Sequence, residues 1–93
     1  SENDGETDED NTIHVNEISL FPNPTKDNIT VRILDKSIDG GRCEVVNYNG
    51  VVMINTRFTN KMFQLNTKGQ QKGFYFLRLF ADQKILVTKF IKQ

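Results

Sequence analysis

Residues 73–92, GFYFLRLFADQKILVTKFIK, decide how this chain folds. Two runs rich in Phe, Tyr, Leu, Ile, Val and Thr are interrupted only by Asp82 and Gln83. Each run has the length and the β-branched and aromatic content of a strand, and neither shows a helical period. A short polar break between two such runs is a tight turn, because Asp tolerates the backbone conformations that turns demand. The pattern predicts strands over 74–81 and 84–91, paired antiparallel.

The same pattern extends towards the N-terminus. In Asn28-Ile29-Thr30-Val31-Arg32-Ile33 the branched residues alternate with polar ones, which puts Ile29, Val31 and Ile33 on one face and leaves the other wet. Asn49-Gly50 lies between two apolar runs and predicts a hairpin with a type I′ turn, which needs positive φ at both central residues. Short runs bounded by Pro, Gly, Asn and Asp give seven candidate strands, at 14–21, 28–34, 42–48, 51–58, 61–66, 74–81 and 84–91. Strands this short, spaced roughly ten residues apart, need a second sheet to cover their apolar faces. The expected fold is all-β, an immunoglobulin-like antiparallel β-sandwich of about seven strands.

At 93 residues the chain has room for one domain with a small core, and its seven Phe and two Tyr supply bulky side chains for it. Cys43 is the single cysteine, so no internal disulfide forms. No run of 18 apolar residues and no secretory leader is present, and the chain opens on Ser1 rather than Met. We read it as a piece of a longer precursor. Charge is unevenly spread: Glu2, Asp4, Glu6, Asp8, Glu9 and Asp10 are six of the twelve acids, leaving twelve bases against six acids beyond them. Residues 1–12 lack large apolar side chains and read as an acidic disordered linker, with the folded domain over 13–93.

The residues that carry chemistry are few. His14 and Cys43 belong to no catalytic motif, and Asp27, Asp35, Asp39 and Asp82 stand where turns favour Asp. There is no phosphate-binding glycine loop, no metal-ligand spacing and no interleaving of bases and aromatics as nucleic-acid modules need, so no cofactor, metal or nucleic acid is expected. The chain is expected not to be an enzyme.

Three segments together resemble the C-terminal sorting domain, type A, of the type IX (Por) secretion system of Bacteroidetes. The first is ISLFPNPTKDNITV, residues 18–31, with Pro22, Asn23 and Pro24 as its most specific part. Both prolines lack an N–H and restrict their neighbours, so these residues read as a structural corner ending one strand and aiming the next. The second is CEVVNYNGVV, residues 43–52, around Asn49 and Gly50. The third runs from Phe63 to Gln93, including Gly73 and Tyr75 and ending on Lys89-Phe90-Ile91-Lys92-Gln93. One departure stands in residues 65–73, where Thr67 and Gln70 occupy a stretch the family makes more apolar.

The resemblance implies a sorting signal at the end of a larger cargo protein. The precursor would cross the inner membrane, be recognised in the periplasm by the outer-membrane translocon, and be cut by a sortase-like protease upstream of the domain. Cargo would finish at the cell surface or outside. We place the cut before Ile13 and assign translocon recognition to Lys89, Phe90, Ile91, Lys92 and Gln93, with a free strand edge and two solvated lysines facing the receptor. The competing reading is a surface module that binds carbohydrate or protein. It requires one row of aromatics, from Phe74, Phe76 and Phe80 or from the alternate set, to point outward.

Overall fold

A computed structural model describes residues 17–93. The acidic segment 1–12, His14 and the beginning of the first candidate strand lie outside the described residues. Among the described residues seven strands form: β1 (Ile18–Phe21), β2 (Asn28–Ile33), β3 (Gly41–Asn47), β4 (Val52–Phe58), β5 (Met62–Asn66), β6 (Gly73–Ala81) and β7 (Lys84–Lys92). They make two antiparallel sheets, of order β1-β2-β5 and β4-β3-β6-β7. This is the immunoglobulin-like sandwich, and the chain changes sheet after β2, after β4 and after β5.

The core follows from the period-two patterns. Ile18, Ile29, Val31, Ile33 and Leu65 face inward from the smaller sheet, and Cys43, Val45, Tyr75, Leu77, Leu79, Leu86 and Phe90 from the larger. Phe58 stacks on Phe63 with ring centroids 5.0 Å apart, closing the core across the β4–β5 crossover.

The sheets give the molecule two ends. The upstream chain enters β1 at Ile18, at the end that also carries the β2–β3 connection, the β4–β5 crossover and the β6–β7 hairpin. At this crossover end Gly41 lets β3 approach β6, since a Cβ there would lie 2.2 Å from the Phe80 carbonyl oxygen. At the other end, the corner end, are residues 22–27, the β3–β4 hairpin, the β5–β6 connection and Gln93. The nine residues of β7 separate the two ends by roughly 27 Å at a strand's rise of about 3.3 Å per residue.

The β3–β4 turn differs from expectation. Gly50 has φ of 86°, but Asn49 stays at negative φ, so the turn is not type I′. Gly50 N–H donates to the Asn47 carbonyl at 2.9 Å, and Asn47 N–H to the Val51 carbonyl at 3.0 Å. The Asn47 side chain accepts from Asn49 N–H at 2.9 Å and Val51 N–H at 3.0 Å. The result is a three-residue loop ending on a left-handed glycine, which draws Val51 out of the strand. In the β6–β7 hairpin, Asp82 takes positive φ, 52°, as its position between the two runs leads one to expect.

Candidate functional site

Pro22, Asn23 and Pro24 end β1 and carry the chain across the end of the sandwich to the last strand. Both peptide bonds before the prolines are cis. Asn23 Oδ1 accepts from Ile91 N–H at 3.0 Å. Thr25 N–H donates to the Ile91 carbonyl at 2.9 Å, and Gln93 N–H donates to the Thr25 carbonyl at 2.8 Å, so Thr25 forms a parallel bridge with Lys92. The buried Thr25 hydroxyl donates to the Asn28 carbonyl at 2.7 Å. Thr67, also buried, donates to the Asp27 carbonyl through N–H at 2.6 Å and hydroxyl at 2.9 Å. Of the two polar departures in residues 65–73, Thr67 thereby fastens the β5–β6 connection to the corner, whereas Gln70 Oε1 is buried with no hydrogen-bond partner among the described residues.

Tyr75 lies inside β6 opposite Phe90 in β7, and their rings stack at 5.6 Å. Its hydroxyl donates to the Gln71 carbonyl at 2.6 Å, four residues back, which is the tyrosine corner of Greek-key sandwiches. Gly73 pairs with Lys92 where these two strands meet the corner. All twelve residues singled out in the sequence therefore lie at or beside the corner end, although they span residues 22 to 93.

Their roles divide differently from the expectation. Phe90 and Lys92 are buried, with Lys92 Nζ donating to the Gln93 carbonyl at 2.9 Å. Lys92 is thus not the solvated base expected, because the corner bridge folds over it. Lys89 is exposed, with Nζ 5.8 Å from the Phe74 ring centroid, and Ile91 and Gln93 are exposed as well. The strand edge is also partly closed. Alternate residues of an edge strand point their main-chain groups outward, and on β7 these are Ile85, Val87, Lys89 and Ile91. The corner occupies both groups of Ile91, which leaves Ile85 to Lys89 without a strand partner among the described residues and shields the last residues from indiscriminate strand pairing.

Charge sits on the outer face of the larger sheet and at the crossover end. Glu44, on β3, binds Arg42 and Arg78, the latter at 2.8 Å, and the Arg42 hydrogen bond leads in holding its carboxyl below the usual range. Asp35 accepts from Lys84 Nζ, from Ser37 N–H at 2.8 Å and from Ser37 hydroxyl at 2.6 Å. These bonds, with that from Lys84 foremost, bring its carboxyl down to about 2. Burial pushes the Cys43 thiol up to about 12, so it is not a thiolate nucleophile. Among the described residues no group of three His, Cys, Asp or Glu side chains is placed to hold a metal ion.

Thr25 and Lys61 were not singled out in the sequence, and Thr67 and Asp35 were read there only as a polar departure and a turn residue. Thr25 carried a weak signal, a β-branched polar residue directly after a proline corner. Lys61 carried none, because its partners are carbonyls more than twenty residues away.

A family profile described as "Secretion system C-terminal sorting domain" matches residues 19–93. No curated protein matches the chain.

Proposed function

Because the chain belongs to the family of secretion-system C-terminal sorting domains, matched over residues 19–93, we propose that it delivers an upstream cargo to the outer-membrane translocon through its corner end. Membership gives the coarser role directly: a type IX sorting domain, whose cargo is destined for the cell surface or the outside, in a family that is not an enzyme family. The finer reading is ours. The domain is non-catalytic, meets its receptor in the periplasm, and is cut from its cargo before Ile13, in the acidic segment or upstream of Ser1.

One observation carries this reading. The two motifs farthest apart in sequence, Pro22 to Thr25 and Lys89 to Gln93, are stitched into one end, and the upstream chain enters at the other. The described chain thus enters a strand's length from its last residues. Within that end Phe90 and Lys92 build the platform, and Lys89, Ile91 and Gln93 are what a receptor touches.

The test fuses all 93 residues behind an inert periplasmic reporter in a cell with a type IX system. The unmodified fusion should send the reporter to the surface or medium. Lys89→Ala should weaken export at an unchanged melting curve, since an exposed lysine contributes only about 0.5 kcal/mol or less to stability. A reporter that stays in the periplasm behind the unmodified domain would refute the sorting role.

A second reading has an observation in its favour: Phe74 and Phe76 do point outward, as a carbohydrate- or protein-binding module requires. Binding of the purified chain to surface glycans, lost in Phe74→Ala, would support it over sorting.

A further inference from the structure

The outer face of the larger sheet carries an apolar patch at the corner end. Register puts Val52, Val46, Phe76 and Lys89 in one cross-strand row and Phe74 with Ile91 in the next. Val46 is buried in the middle of its row, whereas Val52 is 44% exposed, Phe74 53%, Phe76 39% and Ile91 38%. Four large apolar side chains left this open on adjoining positions are more than the scattered exposure that soluble domains tolerate. None of them is needed for the core, which lies on the opposite face of the sheet.

Bases accompany the patch. Arg42, Arg57, Arg78 and Lys89 occupy strand positions on this face, against the single strand carboxylate of Glu44, which Arg42 and Arg78 already hold. We infer that this face docks a partner protein whose apolar residues are flanked by Asp or Glu. The inference rests on the sorting reading and names the chemistry of the receptor surface.

Charge selects the occupant. A second copy meeting this face two-fold would set Lys89 and the arginines against their own kind, with one carboxylate already engaged. A lipid surface fits less well, because Lys89, on the edge strand, stands beside Phe76 across the ladder and Ile91 along the strand, with its Nζ 5.8 Å from the Phe74 ring centroid. Sinking a flat sheet face into acyl chains would strip that ammonium of water with no partner in return. A protein surface supplies both an apolar cover for Phe74 and Phe76 and a carboxylate opposite Lys89. The position agrees, since the described chain enters at Ile18, at the end away from the patch.

The experiment uses the full chain behind the periplasmic reporter and compares the parent with Phe74→Thr/Phe76→Thr and with Lys89→Glu. Melting of each purified chain is recorded alongside. Export should fall about tenfold or more in both, the effect of removing a central contact of an interface, while Arg32→Glu, an exposed position on the other sheet, should export as the parent does. A photo-cross-linking residue at position 76 should capture an outer-membrane protein at a segment containing Asp or Glu, and the same residue at position 32, on the other sheet, should not. If the double Phe variant melts early, Lys89→Glu and the cross-link decide. Normal export by folded variants overturns the docking face and leaves the sorting role standing, whereas an unexported parent overturns both. Binding of the parent, but not of the Phe variant, to lipopolysaccharide vesicles would reassign the face to lipid. A parent dimer lost in that variant on sedimentation would reassign it to a second copy, and either result overturns the inference.

Discussion

At the corner end, Asn23, Thr25, Thr67 and Tyr75 fasten loops to strands through uncharged hydrogen bonds to main-chain groups. At the crossover end the fastening runs through charge: Lys84 reaches Asp35, and Lys61 donates to the carbonyls of Asp35 at 3.1 Å and Ile38 at 2.7 Å. Those four bonds are therefore indifferent to pH and salt and the charged ones at the crossover end are not, because neutral hydrogen bonds carry no proton or screening dependence. A part that must look the same to a receptor is better built from the first kind. A junction on the cargo side has no such requirement.

The largest effect separates buried from presented residues within the corner. Phe90→Ala removes a fully buried ring stacked on Tyr75 and should cost about 3 to 5 kcal/mol in urea denaturation. For a domain with about 5 to 15 kcal/mol in total, that is a large share. A loss below about 1 kcal/mol would mean the last strand is not docked as described. At the crossover end the matching blow is Gly41→Ala, whose Cβ would meet the Phe80 carbonyl at 2.2 Å. Backbone must move to admit it, so a cost of about 1 to 3 kcal/mol is expected in the same measurement. A neutral Gly41→Ala would show that β3 and β6 separate freely there.

These two residues also show what the sequence made legible. Phe90 sits in an apolar run that predicted the strand, and the seven strands and two of their hairpin pairings followed from such runs and their turn residues, whereas the order of the sheets did not. Gly41 was not legible, because its constraint comes from a carbonyl on a strand almost forty residues away. The same holds for the terminal lysines. Their spacing on β7 placed Lys89 and Lys92 on opposite faces, but only the bridge from Thr25 over Lys92 says which is covered. Sequence pattern reports faces and turns, and it is silent about contacts between distant loops. The corner was recognisable through its prolines as a motif, yet its partner, the last strand, was not.

A smaller effect tests the uncharged fastening. Tyr75→Phe keeps the ring stacked on Phe90 and removes only the hydroxyl that donates to Gln71. The loss should be about 1 kcal/mol, with the carbonyl free to find water. It should be the same at low and high salt, and a strong salt dependence would contradict an uncharged corner.

The smallest effect should come from Asp35→Asn, and its pH dependence sharpens the comparison most. Asn keeps an acceptor for Ser37, and Lys84 is solvent-exposed, so screening makes the lost ion pair modest at neutral pH. The Asp35 carboxyl titrates near 2 when folded and near its usual value of 3.8 when unfolded. A depressed folded pKa means the unfolded chain takes up the proton first as pH falls. The stability Asp35 provides is thus fully present above about 4, declines as pH drops, and is gone once pH passes below about 2. Melting midpoints of parent and Asp35→Asn should differ by a constant amount from pH 5 to 8 and converge towards pH 2. Tyr75→Phe should hold its offset from the parent over that whole range, since the bond it removes is an uncharged one to a main-chain carbonyl. If the Asp35→Asn offset is as large at pH 2 as at pH 7, the Lys84 contact is not what lowers the carboxyl, and the crossover end is no more charge-dependent than the corner.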